Sequence, residues 1–178
     1  MFDIKENFLP TEVFNKLRDE MFSPSFPWYI TPDVAFGHEL SHPNEERCPD
    51  IYNWQLIHNF YIAPGNTSEA IKIMNPVLEE IKANVLLRIK ANLTPRADKI
   101  VTHGMHIDVE PPIDIATTAV LYLNTNDGYT VFENGSQVPS KENTLVTFPS
   151  TMKHSGTTCT DQKYRALINF NYIKINNA

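Results

Sequence analysis

The stretch Ala116-Thr117-Thr118-Ala119-Val120-Leu121-Tyr122-Leu123-Asn124 decides the fold, read together with Asn126-Asp127-Gly128, Tyr129-Thr130-Val131-Phe132-Glu133 and Asn134-Gly135. Two runs rich in β-branched and aromatic residues are separated and then closed by the residue pairs that favour tight turns between strands. Working outward, Lys99–Asp108, Thr144–Phe148 and Arg165–Ile175 read as further strands, and Ile51–Ala63 as an earlier one. Upstream, Thr11 is placed to cap a helix in which Val13, Leu17 and Met21 recur every four residues, ended by Pro24 and Pro27. A second helical region is expected from Thr67 to about Asn92, split so that Asn75 caps and Pro76 opens its second part. Val77, Ile81, Val85 and Ile89 would form its buried stripe, leaving the Lys and Arg of 72–99 on a solvated face. Helices followed by closely spaced strands predict a mainly β protein with supporting α-helices, a jelly roll or β-sandwich. One domain is expected over 1–178, with 1–98 as a helix-and-strand support and 99–175 as the core barrel.

The composition narrows the function. The chain has 178 residues, 42% hydrophobic and 20% charged, with a net charge of −6. This acidic balance argues against extended nucleic acid and anionic membranes as partners, because both require cationic surface. No apolar run approaches the roughly 20 residues of a membrane span. Met1–Glu6 lacks the basic and apolar segments of a secretory signal, so the expected location is the cytoplasm. Cys48 and Cys159 form no CxxC pair and read as two buried thiols, with a single disulfide as the alternative.

His106-Ile107-Asp108 carries the first chemical signal. On a strand, residues two apart share a face, so an imidazole and a carboxylate would project together. His154 follows 46 residues after Asp108, a separation that lets a later strand bring in a third ligand. Two histidines and one carboxylate on one face of an octahedron leave positions open, as in non-haem Fe(II) oxygenases. Arg165 opens a strand expected to be buried, where an unpaired guanidinium is costly. It would grip a bound carboxylate with two hydrogen bonds or pair with an acid at the rim; spacing alone weights these equally.

With these residues in order, the chain resembles the Fe(II)/2-oxoglutarate-dependent oxygenases, in particular the prolyl-hydroxylase-like branch. The resemblance covers about residues 100–173. It rests on His106-x-Asp108, Thr117–Asn124, Gly128-Tyr129-Thr130-Val131-Phe132, Thr147-Phe148-Pro149, His154-Ser155-Gly156 and Arg165. It implies a double-stranded β-helix, a cupin-like jelly roll, in which His106, Asp108 and His154 bind Fe(II). It implies that 2-oxoglutarate chelates the metal and that Arg165 binds its far carboxylate, with the Tyr122 hydroxyl as a second donor. Thr130 and, more weakly, Asn169 would line the same pocket. The implied activity is a dioxygenase that uses O2, with ascorbate as an optional reductant, to hydroxylate an unactivated C–H bond. The carboxylate ligand favours hydroxylation over halogenation. The resemblance points to a peptide or protein side chain as substrate, with a small molecule or nucleotide as the alternative, and to a monomer or weak homo-oligomer. The rival from another class is a non-catalytic jelly-roll binding protein.

Several residues have plainer readings. His38 and His42 read as surface residues of an irregular excursion and His58 as a satisfied barrel histidine. His103-x-x-His106 could suggest zinc, a reading that leaves Asp108 and Arg165 unexplained. Trp28 and Trp54 are expected in the core, with Trp28 alternatively at a substrate entrance. Asp108–Asp114 and Asn124–Tyr129 are expected beside the metal, where loops set selectivity.

Overall fold

The computed structural model describes residues 1–34, 48–110 and 112–175. Among the described residues, helices α1 (Thr11–Met21) and α2 (Asn75–Ile81) accompany eleven strands: β1 (Asp3–Lys5), β2 (Tyr29–Thr31), β3 (Gln55–Ile62), β4 (Asn66–Thr67), β5 (Val85–Pro95), β6 (Ala116–Tyr122), β7 (Tyr129–Phe132), β8 (Gln137–Pro139), β9 (Thr144–Pro149), β10 (His154–Gly156) and β11 (Tyr164–Ile173). One sheet has the order β1-β9-β6-β11-β5-β3-β2, with β4 added to β3. A smaller sheet runs β10-β7-β8. All pairings are antiparallel. The architecture is the expected double-stranded β-helix. Its large sheet draws strands from both the 1–98 and the 99–175 parts of the chain.

Strand alternation creates two layers. Ile89 and Ala91 of β5, Ala119 and Leu121 of β6, and Ile168 and Phe170 of β11 face outward onto the helices. Phe14, Leu17 and Met21 of α1 and Val77 and Ile81 of α2 complete that core. The opposite faces carry Val120 and Tyr122 of β6 and Leu167 of β11, which pack with Phe132, Val138, Val146 and Phe148 between the sheets. Burying each large apolar side chain contributes about 1.5–3 kcal/mol, so both layers are needed to hold the sheets.

Several sequence expectations are corrected. The second helix stops at Ile81, where Lys82 adopts a left-handed conformation (φ 53°), and residues 85–95 form β5. The four-residue spacing of Val77, Ile81, Val85 and Ile89 mimicked a longer helix. The alternation of Ile89, Ala91 and Leu93 against Arg88, Lys90, Asn92 and Thr94 fits a strand, and pairing with β3 and β11 selects it. Arg88 and Lys90 are therefore on a cavity wall and not on a solvated face. Met74, not Asn75, precedes α2, because a 3-10 turn over Glu69–Met74 leads into it. Pro10 occupies the cap position before α1, and Thr11 is its first residue.

Lys99–Asp108 is no strand and makes two isolated bridges, Thr102 to Thr157 and His106 to His154. Trp54 is 37% exposed, since its neighbour Gln55 takes the inward position. Trp28 packs on the helix-side core and donates its indole N–H to the Met21 carbonyl at 3.1 Å. His58 is satisfied as expected, by Pro27 O at 2.7 Å and Ser68 Oγ at 3.0 Å. Cys159 is buried, but Cys48 is half-buried, with its Sγ 3.5 Å from His103 Nδ1. The turn signals hold: Gly135 (φ +81°) makes the β7–β8 turn, and Asn126 Oδ1 accepts the Gly128 N–H. His38 and His42 lie outside the described residues. Among the described residues, no helix is long and apolar enough to cross a membrane.

Candidate metal centre and cavity

Reciprocal backbone hydrogen bonds of 3.0 Å between His106 and His154 set the two imidazoles side by side, their ring centres 4.6 Å apart. Asp108 follows in a bend fixed by its N–H to the Ser150 carbonyl at 3.1 Å. One ligand atom from each of His106, Asp108 and His154 lies within 4.8 Å of the others. Each Nε2 is 3.7 Å from an Asp108 oxygen. His106 Nδ1 lies 3.1 Å from the Gly104 carbonyl, and His154 Nδ1 lies 3.0 Å from that of Met152. A carbonyl accepts only, so both Nδ1 atoms carry a proton, and Nε2 is the nitrogen each ring turns towards Asp108. Two imidazoles and one carboxylate with converging ligand atoms fit a divalent first-row metal.

The carboxylate has its own supports, none of them marked by a motif. Asp108 Oδ1 accepts from Arg88 at 2.9 Å, and Oδ2 accepts from the Thr118 hydroxyl at 2.9 Å and the Asn171 amide at 3.1 Å. Arg88 also donates to Asn171 Oδ1 at 2.8 Å. Burial would raise the Asp108 pKa, but the neighbouring His154, Arg88 and His106 and the Asn171 hydrogen bond outweigh it and lower it. The group stays a carboxylate. His154 is held neutral chiefly by burial, which lowers its pKa.

The three residues open onto a cavity of about 290 Å³ between the sheets. Arg165 reaches the same cavity from the other end of β11. Its side chain is buried, with Nε donating to Ser140 Oγ at 2.7 Å and one terminal nitrogen to Thr130 Oγ1 at 3.0 Å. Among the described residues it has no carboxylate partner. Burial lowers its pKa, with Tyr122 and Cys159 opposing. Gly128 makes room for it: a Cβ there would come within 2.8 Å of the Arg165 stem and 2.6 Å of the Thr158 carbonyl.

Thr130 and Asn169 line the cavity, as do Ile107 and Glu110. Tyr122 is fully buried behind them and donates to Thr130 Oγ1 at 2.8 Å. Asn124–Tyr129 does not line the cavity; its Gly128 abuts Arg165, so that segment braces the cation. His103 lines the cavity and stays outside the three-ligand group. A second cluster, Asp127, Cys159 and Asp161, is committed to the backbone: Asp127 accepts the Thr160 N–H and Asp161 the Asp127 N–H.

No protein-family model and no curated protein matches the chain. Solved structures do. The chain is similar to a prolyl-4-hydroxylase from Pseudomonas putida at 17% identity, covering 97% of this chain and 92% of that one, with a TM-score of 0.57. It is similar to a prolyl hydroxylase from Trichoplax adhaerens, crystallised with a hypoxia-inducible-factor peptide, at 16% identity, 97% and 83% coverage and a TM-score of 0.62. The epimerase SnoN of nogalamycin biosynthesis, in complex with Fe3+, alpha-ketoglutarate and nogalamycin RO, superposes at 9% identity, 97% and 78% coverage and a TM-score of 0.63. The fold is shared with these oxygenases.

Proposed function

We propose that this protein is an Fe(II)- and 2-oxoglutarate-dependent dioxygenase in which His106, Asp108 and His154 hold the metal and Arg165 binds the far carboxylate of 2-oxoglutarate. One observation carries this reading: a three-ligand group and a buried guanidinium without a carboxylate partner face a single cavity. When bound, iron with 2-oxoglutarate supplies the oxidising power to break a C–H bond with dioxygen, a task no side chain performs.

The chain's own residues position and insulate. Gly104 and Met152 carbonyls fix the histidine tautomers, while Arg88, Thr118 and Asn171 hold the carboxylate ionised and oriented. Thr130 Oγ1 accepts from both Tyr122 and Arg165, so its own hydroxyl hydrogen is left for a carboxylate in the cavity. Tyr122 then acts through Thr130 by orienting that hydroxyl. Asn169 offers an amide further along the same wall.

The reaction we favour is hydroxylation in a peptide or protein side chain. The support is the fold shared with the peptide-bound Trichoplax enzyme, and a small-molecule substrate is the alternative. Anaerobic titration of the Fe(II)-loaded protein with 2-oxoglutarate tests the reading. A weak visible charge-transfer band is the expected result. Bound iron without that band, or no linkage between 2-oxoglutarate and metal in thermal stability, would overturn it in favour of a binding role.

A further inference from the structure

We propose that the substrate of this site carries an anionic group, a carboxylate in the simplest case, that pairs with the Lys90 ammonium on the flank of the cavity. This rests on the dioxygenase reading above and adds the substrate's chemical class.

Strand β5 is an interior strand between β3 and β11. Its cavity-facing positions are Arg88, Lys90, Asn92 and Thr94. Arg88 is committed to Asp108, and Thr94 sits opposite Arg165 in the register. Lys90 lies between them, mostly buried, with no hydrogen bond or ion pair to any described residue. Lysine is almost never buried without a partner. Burial and then Arg88 draw its pKa down to about 8, so it still carries charge at neutral pH.

Its neighbours are equally uncommitted. Asn169 is its direct partner across to β11, and Asn92 stands two residues along on the same face. Neither amide makes a side-chain hydrogen bond to any described residue. Glu110, also on the wall, forms no ion pair with Lys90. One ammonium and two amides, adjacent and unspent, form a recognition patch for a polar anion.

On the reading above, 2-oxoglutarate would spend its two ends on the metal and on Arg165, which would leave this patch unused. A second anion must come from the substrate. At about 290 Å³ the cavity is near the lower bound for small-ligand pockets, about 300–1,000 Å³, which suits a small acid or one acidic side chain.

The test uses the full chain loaded anaerobically with Mn(II) and saturating 2-oxoglutarate. Thermal shift is read against metabolite-sized carboxylic acids, each with its carboxamide as a neutral control. N-acetyl-aspartate N-methylamide and N-acetyl-asparagine N-methylamide, both blocked at the α-carboxyl, stand for peptide side chains. Acids should stabilise and their amides should not. Lys90→Met should weaken the best acid by about tenfold or more, and Lys90→Arg should retain the preference. A preference among the free acids points to a small molecule, and one confined to the acetylated pair points to a peptide. Acids no better than amides, with absence of binding counted here, overturn the proposal, as does a preference that survives Lys90→Met. A separate titration gives the affinity for 2-oxoglutarate itself. If Lys90→Met loses it as Arg165→Met does, Lys90 belongs to the co-substrate and this inference falls alone. If wild-type protein with Mn(II) fails to bind 2-oxoglutarate, the dioxygenase reading fails first.

Discussion

The two ends of the cavity are built on opposite terms. At one end the Asp108 carboxylate accepts from Arg88, Thr118 and Asn171 and faces two oriented imidazoles. At the other, the Arg165 guanidinium is held by two neutral hydroxyls, Ser140 and Thr130, and balanced by no described anion. The difference separates two ways of preparing for a ligand. The anion is stiffened by neighbours, so that on the proposed reading its geometry would be set before a metal arrives. The cation is positioned by two hydroxyls with no described carboxylate beside it, which on the proposed reading would reserve its attraction for what enters.

Breaking the first end should have the largest effect. Asp108→Ala is expected to weaken Mn(II) or Fe(II) by more than about a hundredfold while the fold persists, as read by calorimetry and circular dichroism. Breaking the second should dissociate the two functions: Arg165→Met should lower 2-oxoglutarate affinity by roughly 10- to 150-fold with metal affinity unchanged. Unchanged co-substrate binding would make Arg165 a purely structural cation. Sharpening the contrast, Asn171→Ala removes one support without touching a ligand and should weaken the metal by about tenfold.

The smallest effect is a pH slope from His103, whose Nε2 has no partner among the described residues. Burial, with Arg165 and His106 adding, lowers its pKa from 6.5 to about 4. The unfolded chain therefore binds the extra proton between these values. Stability from this group is full above 6.5 and falls as pH drops towards 4, by at most about 1.4 kcal/mol per pH unit. Urea unfolding of metal-free protein at several pH values should show a shallower slope for His103→Gln than for wild type.

The legible part of the fold was the part where local and tertiary signals agree. Ala116–Tyr122 and Tyr164–Ile173 are rich in β-branched and aromatic residues and buried along most of their length, so they appear as strands in both readings. Val85–Pro95 was misread because Ile81, Val85 and Ile89 satisfy a helical period, and only pairing with two neighbouring strands breaks the tie. Lys99–Asp108 looks like a strand but is tethered at single points, an arrangement sequence does not encode locally. His106, Asp108, His154 and Arg165 could be singled out from residue type and order together with a family resemblance, and the structure brings all four to one cavity. Arg88, Thr118 and Asn171 could not: they come from three strands, and their convergence on Asp108 exists only after the sheet has formed. The alternation of polar residues in β5 was the available signal, and it was hidden by the helical reading.

That same strand has a consequence for how the protein can change. Positions 89, 91 and 93 hold the helices while 88, 90, 92 and 94 look into the cavity, so one backbone segment serves two masters on separate faces. Of the four inward positions only 88 is tied to the metal end. Residues 90 and 92 could therefore be exchanged for others of similar volume with little disturbance to packing behind the sheet. A mutational library confined to these two sites is a direct route to redirecting what the cavity accepts, with the scaffold left as it is.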